Sequence, residues 1–168
     1  MPPIAGKFVR AVDRMNYGVG RFAMYLLFVL MAILMWSTVS KALFTPSLWT
    51  LEMAQFVMVA YYVLGGPYAM QMEAHVRMDL FYAKQSPQKR ALWDGFTVFA
   101  LIVYLGVMLY GAIDSTVYAF SYNERSPTAW RPFMWPIKVT LCVGFFLMLL
   151  QAVSALIKDI ATVRGEDL

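Results

Sequence analysis

Charge is what this chain is short of: 14% of its 168 residues are Asp, Glu, Lys or Arg, while 61% are hydrophobic. Soluble domains carry roughly a quarter charged residues, so the shortage excludes an ordinary globular domain and points to an integral membrane protein. Histidine and cysteine are scarcer still, with one of each, His75 and Cys142. One histidine cannot ligate a haem from both faces, which excludes a bis-histidine cytochrome on this chain's own residues. One cysteine makes neither an internal disulfide nor a four-cysteine redox relay. Cys142 falls inside an apolar run and reads as a packing residue. P-loop, nucleophile and catalytic-pair patterns are missing too. The sequence therefore offers no catalytic residue, no metal ligand set and no cofactor.

What is present is length without charge. Four apolar runs, residues 22–40, 53–72, 95–113 and 139–157, each approach the ~20 residues that a helix needs to cross a bilayer. Almost nothing remains for a soluble domain, so residues 1–168 read as one all-α integral membrane domain: four transmembrane helices in an antiparallel bundle with amphipathic segments at the interface. The net charge of +4 does not mark a nucleic-acid surface, because the basic residues flank the spans. With the N-terminus inside, Lys7, Arg10, Arg14, Arg21, Arg77, Lys84, Lys89, Arg90, Lys158 and Arg164 are cytoplasmic, ten against the four outside, Lys41, Arg125, Arg131 and Lys138. The positive-inside rule then places both termini in the cytoplasm.

Taken in order, the basic stretch before residue 22 resembles a secretory signal, but the apolar run is too long and lacks an A-x-A site, so an uncleaved first span is expected. Its lead-in either lies on the anionic inner leaflet before turning in or is a frayed basic tail. Thr45-Pro46-Ser47 fits a helix start with proline near the first helical position. Gly65-Gly66-Pro67 removes side chains and one backbone donor, which predicts a kink or a close helix contact; a substrate-lining break would need polar partners that the sequence does not supply. Beyond the second span, Glu73 and the alternation His75-Val76-Arg77-Met78-Asp79-Leu80 suit a segment lying at the membrane surface. Arg77 and Asp79 pair with each other, contact a partner or face water.

Ser86-Pro87 is a helix-opening pair, and the third helix should run past Lys89, Arg90 and Trp93 before it crosses. Gly111, Ser115 and Ala119 give a small-residue stripe. Glu52 and Asp114 fall near the outer ends of their spans, and for Asp114 structural pairing is expected over ion coupling. Trp36, Trp49, Trp130 and Trp135 suit the outer aromatic belt, with Trp93 on the inner side. Pro136 opens the fourth helix, Lys138 snorkels outward, and Gln151 makes a helix-to-helix hydrogen bond. A small multidrug antiporter would need an acid within a span, which this sequence lacks.

The order of these features resembles the small, Q-type membrane subunit of tripartite ATP-independent periplasmic (TRAP) transporters. The resemblance rests on Pro46-Ser47-Leu48-Trp49 leading to Glu52, a glycine-containing second span ending in Tyr68, and His75-Val76-Arg77-Met78-Asp79-Leu80. It continues through Ser86-Pro87, the outer Arg125-Ser126-Pro127-Thr128-Ala129-Trp130-Arg131-Pro132 segment and Gln151, covering essentially the whole chain. It implies a multi-pass protein of the bacterial inner membrane, an accessory that braces a large substrate-translocating subunit and works with a periplasmic substrate-binding protein. Such systems import organic acids and related solutes on a sodium gradient. Trp49, Glu52, Gly65, Gly66, Pro67, Arg77, Asp79, Arg131 and Trp135 are then candidates for subunit contact or membrane seating. Arg10, Arg14, Lys89 and Arg90 are candidates for holding lipid headgroups at the subunit seam. The alternatives are the membrane anchor subunit of a redox complex, whose cofactor would absorb light, and a self-contained homo-oligomeric channel.

Overall fold

The computed structural model describes residues 3–72 and 87–164, with side-chain surroundings for 6–72 and 97–161. Among the described residues the regular structure is helical: α1 Pro3–Leu43, α2 Thr50–Gln71, α3 Pro87–Ser121 and α4 Trp135–Arg164. Pro3 and Pro87 each stand at the first helical position, where a missing N–H costs nothing. α1 ends just ahead of Thr45-Pro46, with Lys41 in its last turn against the negative end of the dipole. α2 starts at Thr50, later than Pro46 suggested. Trp49 occupies the cap position without a capping side chain, and the Thr50 hydroxyl donates to the Ser47 carbonyl at 3.0 Å.

Three helices contain stretches long and apolar enough to cross a membrane: Gly6–Leu43, Thr97–Ser121 and Trp135–Ala161. α2 has the length, at 22 residues, but Gln55, Tyr61, Tyr62, Gly65, Gly66, Pro67 and Tyr68 dilute its apolar character. α1 corrects one expectation. Its 41 residues form a single helix, about 60 Å long, so the basic lead-in neither frays nor turns at Arg21. Val9, Val12 and Asn16 are buried, and that packing carries the helix straight through the lead-in.

α1, α2 and α4 pack on one another, while α3 forms its substantial seam with α4 alone. The molecule is therefore a three-helix core with a fourth helix attached at one side, a more open arrangement than a closed bundle. Small side chains make up much of the buried set, with Ala23, Ala119, Ala152 and Ala161 beside the larger Leu105 and Leu147. Hydrocarbon supplies no hydrophobic drive between helices, so contact rests on close van der Waals fit. Two glycines set the closest approaches. A methyl at Gly20 would overlap Tyr68 on α2, and one at Gly144 would overlap the Val63 side chain and stand 3.0 Å from the Val63 carbonyl oxygen. That carbonyl is the one Pro67 leaves without its helical donor, so the buried proline and Gly144 belong to the same contact.

The expectation for Gly65-Gly66-Pro67 is thereby refined. α2 runs on through Pro67 to Gln71; Gly66 faces Met148, and Gly65 faces open space.

Candidate functional site

The N-terminal half of α1 and the C-terminal half of α4 are joined by a chain of polar groups. Asn16 Nδ2 donates to Gln151 Oε1 at 2.6 Å, Gln151 Nε2 donates to Asp13 Oδ1 at 3.1 Å, and Lys158 Nζ donates to Asp13 Oδ2 at 2.7 Å. Asn16, Gln151 and the neighbouring Ser154 are buried. Asn16 Oδ1 and Ser154 Oγ have no partner. Because each amide bonds across the seam, neither helix can slide along the other without stranding a donor, and a stranded donor costs about 1–3 kcal/mol. Asp13 is already compensated by Lys158. The cluster ties helices and leaves no free anionic site.

The opposite end is held differently. Thr50 Oγ1 lies 3.1 Å from Ser37 Oγ across the α1–α2 seam, and Ser40 Oγ donates to the Ser37 carbonyl at 3.1 Å. Between α3 and α4 the loop folds on itself. The amide of Ser126 donates to Pro132 O and that of Met134 to Glu124 O, both at 3.0 Å, with Asn123 and Arg131 in the left-handed backbone region at φ 48° and 52°. The Arg125 guanidinium covers the Phe133 ring at 4.1 Å, and Phe120 stacks on Trp135 at 5.4 Å between centroids. Lys138, expected to snorkel outward, instead pairs with Glu124 and donates to the Ser115 carbonyl at 3.4 Å. Thr116 Oγ1 and Cys142 Sγ meet at 3.2 Å in the α3–α4 seam, so the cysteine is a packing residue with one polar contact.

Under this loop lies an apolar cavity of about 530 Å³ lined by Leu26, Phe56, Val57, Trp130, Phe133 and Trp135, among others. Thr140 is the polar residue in its wall, too little to recognise a polar solute. Among the described residues no three His, Cys, Asp or Glu side chains come together.

The predicted residues separate into groups. Trp49, Arg131 and Trp135 are exposed, and Trp135 also walls the cavity. Glu52 is buried, 8% exposed, and its Oε2 has no partner, so it does not present itself for contact. Pro67 is buried; Gly65 and Gly66 are half-buried, Gly66 against Met148 and Gly65 with open space where a side chain would stand. Arg10 and Arg14 are exposed along α1. Lys89 and Arg90 sit in the first turns of α3, their side chains outside the described set, and Arg77 and Asp79 lie outside the described residues. Asp114 is exposed and forms no pair among the described residues, contrary to the structural pairing expected of it.

Sequence reasoning found Gln151 and its bond across helices but missed Asp13 and Asn16. Their signal was available: two polar residues at i and i+3 on the same helix face as Val9 and Val12. Gly20 and Gly144 were missed as well, being isolated glycines in helix interiors where only packing makes them worthwhile.

No curated protein matches this chain. The family model described as "Tripartite ATP-independent periplasmic transporters, DctQ component" matches residues 19–162, most of the sequence, and the chain belongs to that family.

Proposed function

We propose that this protein is the small accessory subunit of a sodium-coupled, binding-protein-dependent secondary transporter for organic acids or related solutes, and that it acts as a fixed lateral frame for the large translocating subunit. Family membership makes it a transporter component and not an enzyme, so the redox-anchor alternative falls away. The finer reading has four spans, both termini in the cytoplasm, in the inner membrane. α2 would complete the set as a less apolar span screened by α1 and α4. Its partners are the large multi-span subunit, a periplasmic substrate-binding protein and membrane lipids.

One observation carries the frame reading: among the described residues α3 has its substantial seam with α4, and much of its remaining surface is apolar and uncovered. Phe99, Tyr104, Val107, Tyr110, Ile113 and Val117 are all at least half exposed. Gly106 and Gly111 on the same helix have open space around them, and small residues allow another helix backbone to come close. A surface of this kind fits a partner helix in hydrocarbon. Photocrosslinking tests it in the assembled transporter. A crosslinker at Tyr110 or Val107 is expected to capture the large subunit, and one at buried Ala152 is not. Absence of capture anywhere along α3, with the complex intact, would remove this face from the interface.

A further inference from the structure

Lys7, Arg10, Arg14 and Arg21 fall within about 60° of one another around α1 at ~100° per residue. They lie roughly opposite the buried face of Val9, Val12, Asn16 and Ala23. All four are exposed, and among the described residues none is ion-paired. The positive-inside rule accounts for their number. It does not account for their alignment on one face with no counter-charge.

Their depth follows from the outer aromatic belt. About 20 residues inward from Trp36, the hydrocarbon edge falls near Asn16. Arg14 is then just beyond that edge, and Arg21 is inside it by about 7 Å. An arginine at that depth must turn toward the headgroups, and helical side chains on α1 tilt toward its N-terminus, which is this inner end. The structure has Arg21 turned that way. Its guanidinium lies over the ring of Tyr17, one turn nearer the N-terminus, at 5.8 Å, and Tyr17 is braced by Tyr68 of α2 at 5.8 Å between centroids. Arg21 is thus brought down to the level of Tyr17, and Arg14 stands on the same face less than one turn further toward the N-terminus.

We propose that Arg14, Tyr17 and Arg21 form a site for the phosphate of an anionic phospholipid in the leaflet at the N-terminal end of α1, with Arg10 and Lys7 adding field from below. The occupant is a lipid because the same helix face continues as Tyr25, Phe28 and Met35, all exposed. Cations at headgroup depth followed by apolar side chains along the hydrocarbon match the order of a lipid's own parts. An anionic headgroup is selected over a zwitterionic one because the four cations have no counter-charge and a zwitterion brings a further ammonium. The proposal rests on the membrane placement given above, and the cytoplasmic assignment of this end decides only which leaflet supplies the lipid.

Native mass spectrometry of the full-length protein in neutral detergent tests it without transport or orientation entering. Near a membrane surface each basic residue contributes about fivefold, so the wild type should retain phosphatidylglycerol over phosphatidylcholine by roughly twentyfold through this pair. R14Q/R21Q should lose this pair's share of the preference, keeping only what Lys7 and Arg10 supply, and where the double variant does not fold, R14Q or R21Q alone should lose about fivefold. Equal retention of both lipids by the wild type, or an undiminished preference in the variants, overturns the proposal. So does displacement of the lipid by millimolar inorganic phosphate, which would make this a site for the free anion. Capture of the large subunit, and not lipid, by a photocrosslinker at Tyr17 would assign the face to a protein.

Discussion

α1 and α3 are both long, apolar and widely exposed, yet they are held in opposite ways. α1 is fixed on two sides, by the Gly20–Tyr68 contact with α2 and by the Asn16–Gln151 and Asp13–Lys158 links to α4. Among the described residues α3 has its substantial seam with α4, which includes the Thr116–Cys142 contact, and Leu105 and Ala119 on α3 are buried. Polar bonds between helices in lipid average only ~0.6 kcal/mol, so what separates the two is the number of independent constraints and not any one strong bond. The doubly held helix and its neighbours make a stiff unit. The singly held one supplies free surface.

Breaking the stiff side should cost most. Gly144→Leu drives a side chain into Val63 and its backbone, and overpacking of this kind costs about 3 kcal/mol at the upper end of its usual range. Denaturant unfolding in detergent should show that loss, and an unchanged midpoint would mean that α2 and α4 have room between them. Next comes the polar link. Gln151→Leu strands Asn16 Nδ2 and one oxygen of Asp13, for an expected loss of about 1–2 kcal/mol. N16L/Q151L should recover part of that loss because both orphaned amide partners go together, and strictly additive losses would deny the coupling.

The α3 side should respond less. Thr116→Val removes one hydroxyl contact with Cys142, worth about 0.6 kcal/mol by the membrane average, measurable in the same unfolding series. Gly111→Ala has no neighbour within 4 Å to meet and should leave stability unchanged or raised by up to about 0.5–1 kcal/mol. If α3 is the docking face, the same methyl weakens co-purification with the large subunit. A stable variant with full complex yield would point to another face.

Much of this was legible in the sequence because hydrocarbon demands it. The helical class, the early start of α3 at Pro87, the opening of α4 beside Pro136 and the bond from Gln151 all follow from apolar length, proline position and the cost of a lone amide. The arrangement of the helices did not follow. Four apolar runs are equally compatible with a closed bundle and with three helices plus one, since the choice depends on which small residues meet, Gly144 on Val63 and Gly20 on Tyr68. The aligned cations of α1 became a feature only when Pro3–Leu43 proved to be one helix; on a frayed or turned segment the same residues share no face. The burial of Glu52 was not legible either, since an acid at the end of an apolar run carries no sign of which neighbours close over it.

The central claim is that this subunit gives the transporter surface and stiffness and no ligand for sodium or substrate. Asp114 tests it most directly, being an exposed acid in a membrane helix without a partner among the described residues. Uptake should be measured in liposomes holding both membrane subunits and supplied with the binding protein, comparing wild type with Asp114→Asn. The account predicts the same sodium-to-substrate ratio and the same apparent affinity for both. A lower ratio in the variant would place a step of the ion path on this chain and contradict the account.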